Sequence, residues 1–531
     1  MQLSRGLRGG AALLAVACLL LGGLTQASAS PVSAMTQWPL AGQNIFGTRS
    51  NPFETKINTH NVGQLTPKWT FTAPGDISAT PAIVAGAAYV TDWGGGFSKI
   101  NIRTGKQIWQ HQIAEYNGLA GSFSRTSPTV DGDTVYIGDQ NAQNFGAVPH
   151  LFAIDTRTGK LKWSTVVDQH PLAILTQSPV VYHGVIYIGV ASKEEVAATL
   201  PNYPCCTFRG SVVALDQRNG AMLWKTFLIP DNGGKPGGYS GNGVWGTTPT
   251  IDPIHHNVLV ATGNNYTVPQ SVTDCQDAGK TAAECLAPDD YQDAVVALDL
   301  GTGKVKWSAG DKTFDQWTAG CSPGFPPNNC PPNPGNDYDF GDGAHISFIP
   351  GPNGVPREVV GAGQKSGVYW QLDAGTGQVV WSSAFGPGGV HGGVEWGSAV
   401  ADGRIYFADA NTNHVPYTLP NGTSTDRGFF GALDATTGTI LWETADPSHD
   451  EDPGAVATAN GVVFGGSISG HMYALDGRTG QILWDYKGLG SSNAGPSVVD
   501  GTVYWGNGYN NRFYPKGLSG KTLYAFSLNG R

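Results

Sequence analysis

The feature that most constrains this chain is a unit that returns along its length. It runs from small or apolar residues to Leu-Asp, two variable residues, Thr or Asn, Gly, three variable residues and Trp. It stands as AIDTRTGKLKW at 153–163, ALDQRNGAMLW at 214–224, ALDLGTGKVKW at 297–307, QLDAGTGQVVW at 371–381, ALDATTGTILW at 432–442 and ALDGRTGQILW at 474–484. A degenerate copy, NIRTGKQIW, ends at Trp109, and LTPKW ends at Trp69. The apolar run before each Asp alternates like a strand. Asp-x-x-Thr-Gly supplies turn chemistry, because Asp can bond backbone N–H groups ahead of it and Gly accepts φ > 0. The stretch ending in Trp then reads as the return strand. Upstream of most copies lies a second strand pair, as in SPTVDGDTVYIG (127–138) and GPSVVDGTVYWG (495–506). Four short strands per repeat predict a propeller blade, for which about 40 residues suffice.

Trp69, Trp109, Trp163, Trp224, Trp307, Trp381, Trp442 and Trp484 mark eight units. The last copy, LYAFSLNG at 523–530, has no Trp strand, and the strand at Trp69 can supply it. The expectation is an all-β, eight-bladed β-propeller of four-stranded antiparallel blades over residues 67–531. Its N- and C-terminal strands share one blade, and a segment at 31–66 without clear periodicity precedes it. The eight tryptophans are read as packing between blades, not as supports for a cofactor.

A formal charge of −10 with only 31 Lys and Arg excludes a basic nucleic-acid-binding surface as the main theme. No basic run suggests a membrane surface. Residues 1–30 are read as a signal peptide: Arg5 and Arg8 precede the apolar run 11–21, and Ala27-Ser28-Ala29 resembles a signal-peptidase site. That run is too short to span a bilayer comfortably. An exported, periplasmic or secreted, protein is therefore expected. Apart from Cys18, the cysteines are Cys205, Cys206, Cys275, Cys285, Cys321 and Cys330, an even number that suggests disulfides in an oxidising compartment. Local pairing joins 275 to 285 and 321 to 330, stapling long insertions, and 205 to 206; two separate thiols remain the alternative for the last pair. Adjacent Cα atoms lie about 3.8 Å apart, shorter than the usual bridging range of roughly 4.4–6.8 Å. No Cys-x-x-Cys-His is present, so the chain attaches no c-type haem.

The longest gaps between units fall between Trp163 and Trp381, and insertions on one loop face of a propeller often carry its site. VASKEEVAA offers Glu194 and Glu195, CCTFRG offers Cys205, Cys206 and Arg209, and GNGVWG offers Trp245. ATGNNYT places Asn264 directly after a strand, NDYDFGDG supplies Asp337, Asp339 and Asp342, GQKSG supplies Lys365, and GGVEWG adds Glu395 and Trp396. Arg125 in RTSPT stands ahead of an inner strand. Glu, Asn and Asp are the oxygen donors a hard cation such as Ca²⁺ prefers. Lys365 and Arg209 could neutralise an anionic cofactor, and a Trp face could support a flat ring. His255-His256 and the acidic SHDEDPG stretch (448–454) read as surface features.

Taken together, the repeat ALD-x-x-TG-x-x-x-W, CCTFRGSVVALD, SKEE, GVWG with ATGNN, and the cysteine-bounded insertion before DYDFG resemble the pyrroloquinoline quinone (PQQ)-dependent alcohol dehydrogenases. They are similar in particular to the polyvinyl alcohol dehydrogenase branch. The resemblance covers about residues 40–531. It implies PQQ and Ca²⁺ as cofactors, with Glu195 or Glu194, Asn264 and Asp337 as metal ligands. It implies Asp337 or Asp339 as the general base, Lys365 as the cation at the quinone oxygens and Trp245 as the floor under the ring. From their loops, Arg125, Arg209, Cys205, Cys206 and Trp396 are expected around the cofactor. Asp339, two residues after Asp337, resembles the extra carboxylate of lanthanide-dependent relatives. The cysteine pair departs from the methanol dehydrogenase pattern, where it precedes the glutamate loop rather than following it. The activity implied is oxidation of an alcohol, with a secondary alcohol, polymeric or small, as substrate and a separate acceptor such as cytochrome c for the electrons. Two rival readings are a non-catalytic propeller that scaffolds other proteins, and a PQQ enzyme acting on aldose sugars.

Overall fold

A computed structural model describes residues 37–141, 146–511, 514 and 516–531. The expected signal peptide at 1–30 and the first residues of the 31–66 segment lie outside these. Eight antiparallel sheets of the same plan follow one another along the chain. Blade 1 is built from Ala82–Val84, Ala87–Thr91, Gly96–Asn101 and Gln107–Gln112. Blades 2 to 7 repeat this order, with first strands at Thr129–Asp131, Val180–Tyr182, Thr250–Asp252, His345–Pro350, Ala399–Ala401 and Ala457–Ala459. Blade 8 takes Ser497–Val499, Thr502–Gly506 and Thr522–Leu528 from the C-terminus, and its fourth strand is Leu65–Thr72 from the start of the propeller. That strand pairs with Thr522–Leu528 over its whole length, with Trp69 opposite Ala525. The chain is an eight-bladed β-propeller.

The repeat motif is an interlock between neighbouring blades. Each motif Trp sits in a fourth strand, and its Nε1 donates to a carbonyl of the next blade: Trp69 to Ile102, Trp109 to Thr156, Trp163 to Gln217, Trp224 to Leu300, Trp307 to Ala374, Trp381 to Ala435, Trp442 to Gly477 and Trp484 to Leu65, at 2.8–3.3 Å. The last of these joins blade 7 to the strand that completes blade 8. The Asp of each motif caps its turn, as Asp155 Oδ1 does by accepting from the Thr158 backbone and hydroxyl at 2.8 and 2.7 Å. The Gly then lies flat on the Trp of the preceding blade. Gly438 has φ +71°, and a Cβ there would come 2.5 Å from Trp381. Position and partner both require Gly.

The stretch without periodicity, from Trp38 to Asn51, is a belt inside the ring. Pro39 O accepts from Val130 N, Ile45 O from Ile251 N, Phe46 O from Ile346 N, Thr48 O from Val400 N and Arg49 O from Thr458 N, all at 2.8–3.0 Å. Trp38 exchanges two backbone bonds with Ile83, and Asn51 Nδ2 donates to Val498 O at 2.8 Å. These partners are innermost strands of blades 1, 2, 4, 5, 6, 7 and 8. The buried Arg49 guanidinium donates to Val456 O, Ala41 O and Thr80 Oγ1 at 2.8, 2.9 and 3.2 Å. This one segment, with turns at 41–46, thus satisfies inward-facing backbone donors that would otherwise be buried unpaired.

Candidate active site

Glu195, Asn264 and Lys365 each follow the second strand of a blade: Val185–Ser192 in blade 3, Asn257–Ala261 in blade 4 and Pro356–Gly363 in blade 5. Arg125, Trp245 and Trp396 each precede a first strand, of blades 2, 4 and 6. First and second strands are antiparallel, so the end of one and the start of the other emerge on the same face. There these six residues, with Asp337 and Asp339, line a cavity of about 340 Å³, walled further by Trp93, Phe123, Tyr266, Glu395, Tyr509 and Tyr514. That size suits a cofactor-sized ligand.

The two aspartates arrive on the long connection between blades 4 and 5. Asp315 anchors them: its Oδ1 accepts from Asp337 N at 3.0 Å and its Oδ2 from Tyr338 N at 2.7 Å. Gly335 N donates to Gln316 O at 2.9 Å, so the insertion leaves and re-enters at one point beside Trp317. The Cys321–Cys330 bond closes the excursion. Its tip rests on blade 3, where Asn328 donates to Thr199 O and Asn329 to Ala198 O, each at 2.9 Å.

Asp337 and Asp339 are both buried but differently engaged. Asp339 Oδ1 accepts from Asn264 N at 2.7 Å, and its Oδ2 accepts from Trp245 Nε1 at 2.8 Å and Lys365 Nζ at 3.1 Å. Asp337 Oδ2 accepts from Lys365 Nζ at 3.0 Å, while its buried Oδ1 accepts no hydrogen bond. Burial pushes the Asp337 carboxyl well above the usual carboxylate range, against the pull of Lys365. Burial alone would push Lys365 down, but Asp337, Asp339, Glu395 and Glu195 outweigh it and hold the ammonium above its ordinary value. Burial also pushes Glu195 up to about 7, again against Lys365. Asn264 donates both amide hydrogens, to Asn265 O and Trp317 O at 2.9 Å, which leaves Oδ1 as its remaining polar atom at the cavity.

The aromatic wall is a connected cluster. Trp245 meets Trp396 edge-on with ring centres 5.0 Å apart, and Lys365 Nζ lies 5.1 Å from the Trp245 ring. The Arg125 guanidinium stacks between Trp396 at 4.8 Å and Trp93 at 5.1 Å and donates to Tyr509 Oη at 3.2 Å. Trp396 Nε1 is buried without an acceptor.

Three comparisons bear on what such a cavity belongs to. A family model described as outer membrane protein assembly factor BamB matches residues 66–309 and 426–531. A polyvinylalcohol dehydrogenase of Sphingopyxis sp. (strain 113P3) is 30% identical over 90% of this chain and 74% of its own length. The chain belongs to the quinoprotein alcohol dehydrogenase family. A quinohemoprotein alcohol dehydrogenase of Comamonas testosteroni is 25% identical over 93% of this chain and 76% of its own. The solved structure of quinohemoprotein alcohol dehydrogenase ADHIIG from Pseudomonas putida HK5 superposes with a TM-score of 0.71 at 19% identity, covering 94% of this chain and 81% of that one, a likeness of fold. The family-model match covers Arg125, Glu195, Trp245 and Asn264 but omits 310–425, where Asp337, Asp339, Lys365 and Glu395 stand.

Several residues singled out in the sequence lie elsewhere. Arg209 turns away from the cavity to pair with Asp231 at 3.1 Å, donate to Ile229 O and cover Phe227. Glu194 also faces away: fully buried, it accepts from Thr207 N, Phe208 N and Tyr203 Oη at 2.7–3.0 Å and so holds the CCTF loop. Cys205 and Cys206 are bonded to each other and pack in the blade 3 core, beside Phe208 and Tyr266, rather than lining the cavity. His255 is no plain surface residue, because it pairs with buried acids, and Asp452 of the SHDEDPG stretch is fully buried. Asp315, Glu395, His391, Tyr509 and Tyr514 carry more of the site than the sequence reading gave them. Glu395 accepts from Tyr514 Oη and from His391 Nδ1, the latter at 2.9 Å. Tyr509 and Tyr514 follow the second strand of blade 8, the same loop position as Glu195, Asn264 and Lys365. Counting that position around the ring would have found them.

Proposed function

We propose that this protein is an exported alcohol dehydrogenase that works with PQQ and Ca²⁺, with Asp337 as its general base. The observation that carries the reading is the Asp337 carboxylate. Asp337 lines the cavity; one of its oxygens is fixed by Lys365, and the other is buried without a donor. The residues present fit the implied groups. Glu195 and Asn264 Oδ1 are oxygen donors at the cavity, of the kind a hard divalent cation takes, which leaves Asp337 Oδ1 for the base. Trp245 offers a flat indole held in place by Asp339, and Arg125 and Lys365 are cations suited to an anionic tricyclic acid. When bound, PQQ with its metal supplies a Lewis-acid-activated carbonyl that accepts two electrons and a hydrogen from the alcohol carbon.

The chain's own residues do the rest. Asp337 Oδ1 takes the hydroxyl proton of the alcohol, and burial makes it a stronger base than a solvated carboxylate. Lys365 keeps its charge and steadies negative charge that develops near it. Asp339 positions: it orients Trp245, Lys365 and the Asn264 backbone, and with both oxygens engaged it supports Ca²⁺ over a lanthanide site that needs it as a ligand. The walls of Trp93, Phe123 and Tyr509 keep water from the reacting carbon and favour an apolar secondary alcohol, small or polymeric. A separate acceptor such as cytochrome c then takes the electrons. Disulfides at 275–285 and 321–330 support the exported location.

The test pairs binding with turnover. Asp337→Asn should still quench its tryptophan fluorescence stoichiometrically with PQQ in the presence of Ca²⁺, while kcat for a secondary alcohol falls roughly 10²–10⁴-fold. An Asp337→Asn enzyme with near-normal kcat would overturn the assignment of the base.

A further inference from the structure

On the face opposite the cavity, the turn between the first two strands of blade 4 meets the second strand of blade 5. Asp252 ends the strand Thr250–Asp252, His255 lies in the turn that follows, and Glu358 stands in Pro356–Gly363. His255 Nδ1 is 2.8 Å from Asp252 Oδ2 and 3.2 Å from Glu358 Oε2, and one donor atom from each residue falls within 4.8 Å of the others. Asp252 is fully buried and Glu358 is 9% exposed. Neither Glu358 oxygen accepts a hydrogen bond, and the buried Asn257 Oδ1 beside them accepts none either. A buried carboxylate left this way is costly unless something positive meets it. The nearby cations are committed elsewhere: Lys306 donates to the carbonyls of His255 and His256 and pairs with Asp299, and Arg357 pairs with Asp373. A single Nδ1 carries at most one proton, so it cannot fully serve both carboxylates.

We propose that Asp252, His255 and Glu358 form a second metal site, for a divalent transition ion of the Zn²⁺ class, that ties blade 4 to blade 5. The donor set decides the class. An imidazole nitrogen with two carboxylate oxygens suits Zn²⁺ and its neighbours, whereas Ca²⁺ prefers oxygen alone. Bonds of about 2.0–2.2 Å to a tetrahedral ion place donor atoms roughly 3.3–3.6 Å apart, so the 2.8 and 3.2 Å separations from His255 Nδ1 need open by only a few tenths of an ångström. His255 is partly exposed, which leaves a path in and a fourth position for water. Gly375 of blade 5 makes room, since a Cβ there would come 2.9 Å from His255 Nε2. This site is independent of the cavity and of the activity proposed for it.

The probe is Zn²⁺ alone, titrated calorimetrically into the mature protein after chelator treatment and with Ca²⁺ in excess, and followed in parallel by thermal unfolding. The expected result is about one Zn²⁺ per chain and a higher Tm. His255→Ala and Glu358→Gln should each weaken binding at least tenfold, while the cavity variant Glu195→Gln binds as the parent does. Co²⁺ at the same site should give the visible absorption of a tetrahedral N/O centre. Glu358→Gln is isosteric and removes a buried charge, so it reports even where His255→Ala folds poorly. No saturable binding, binding unchanged in Glu358→Gln, or loss in Glu195→Gln instead would each overturn the proposal.

Discussion

Asp337 and Asp339 are two residues apart, alike in type and in burial, and their hydrogen bonds separate them. Asp339 receives three donors, and Asp337 Oδ1 receives none. Asp339→Asn should therefore act differently from Asp337→Asn. An amide cannot accept from Trp245, Lys365 and Asn264 N at once, so Asp339→Asn should weaken PQQ and Ca²⁺ binding together, tenfold or more, as read by equilibrium titration. The sequence offers Glu194 and Glu195 as equals. What separates them is the direction each takes from a one-turn helix, Glu194–Ala197, which points one into the CCTF loop and the other at the cavity. Arg209 was legible as a cation in an insertion but not as the partner of Asp231, because an ion pair across 22 residues of irregular chain leaves no periodic trace.

At the scale of the element, the repeat carries its own explanation. Asp caps the turn, Gly takes φ > 0, and the absent Cβ admits the Trp of the blade before. This is why the blades and their number could be read directly. The Gly438→Ala variant tests it: left-handed backbone plus a 2.5 Å clash with Trp381 should cost about 2–4 kcal/mol. Urea unfolding would measure that loss, and a cost near zero would mean the interlock contributes little. The insertion that carries Asp337 was legible as a cysteine-bounded loop. Its docking was not, since Asp315 and Gln316 close its base through contacts with no sequence pattern.

Across the whole molecule, the belt at 38–51 joins blades that are far apart in sequence. It was unreadable because each residue faces a different blade, so no period of two or 3.6 can arise. The ring also buries acids outside the cavity. Glu443 is pushed up from 4.5 to about 7 by burial, with Tyr417 hydrogen-bonded to it. Its folded pKa exceeds its unfolded one, so its favourable contribution is complete below about 4.5 and is lost as pH rises through about 7. Glu443→Gln should therefore gain Tm over the parent at pH 8 relative to the difference at pH 5, and calorimetry at the two pH values would show it. Equal differences at both would contradict the shift.

The cavity is proposed to oxidise alcohols with PQQ and a Ca²⁺ ion. The most direct measurement is reconstitution: the mature protein is loaded with PQQ and Ca²⁺ and given small secondary alcohols and polyvinyl alcohol, with an artificial dye as electron acceptor. Dye reduction should need both PQQ and alcohol, stop on chelation and return with Ca²⁺. A folded protein that binds no PQQ would contradict the proposal, and would return the propeller to the reading of a non-catalytic scaffold.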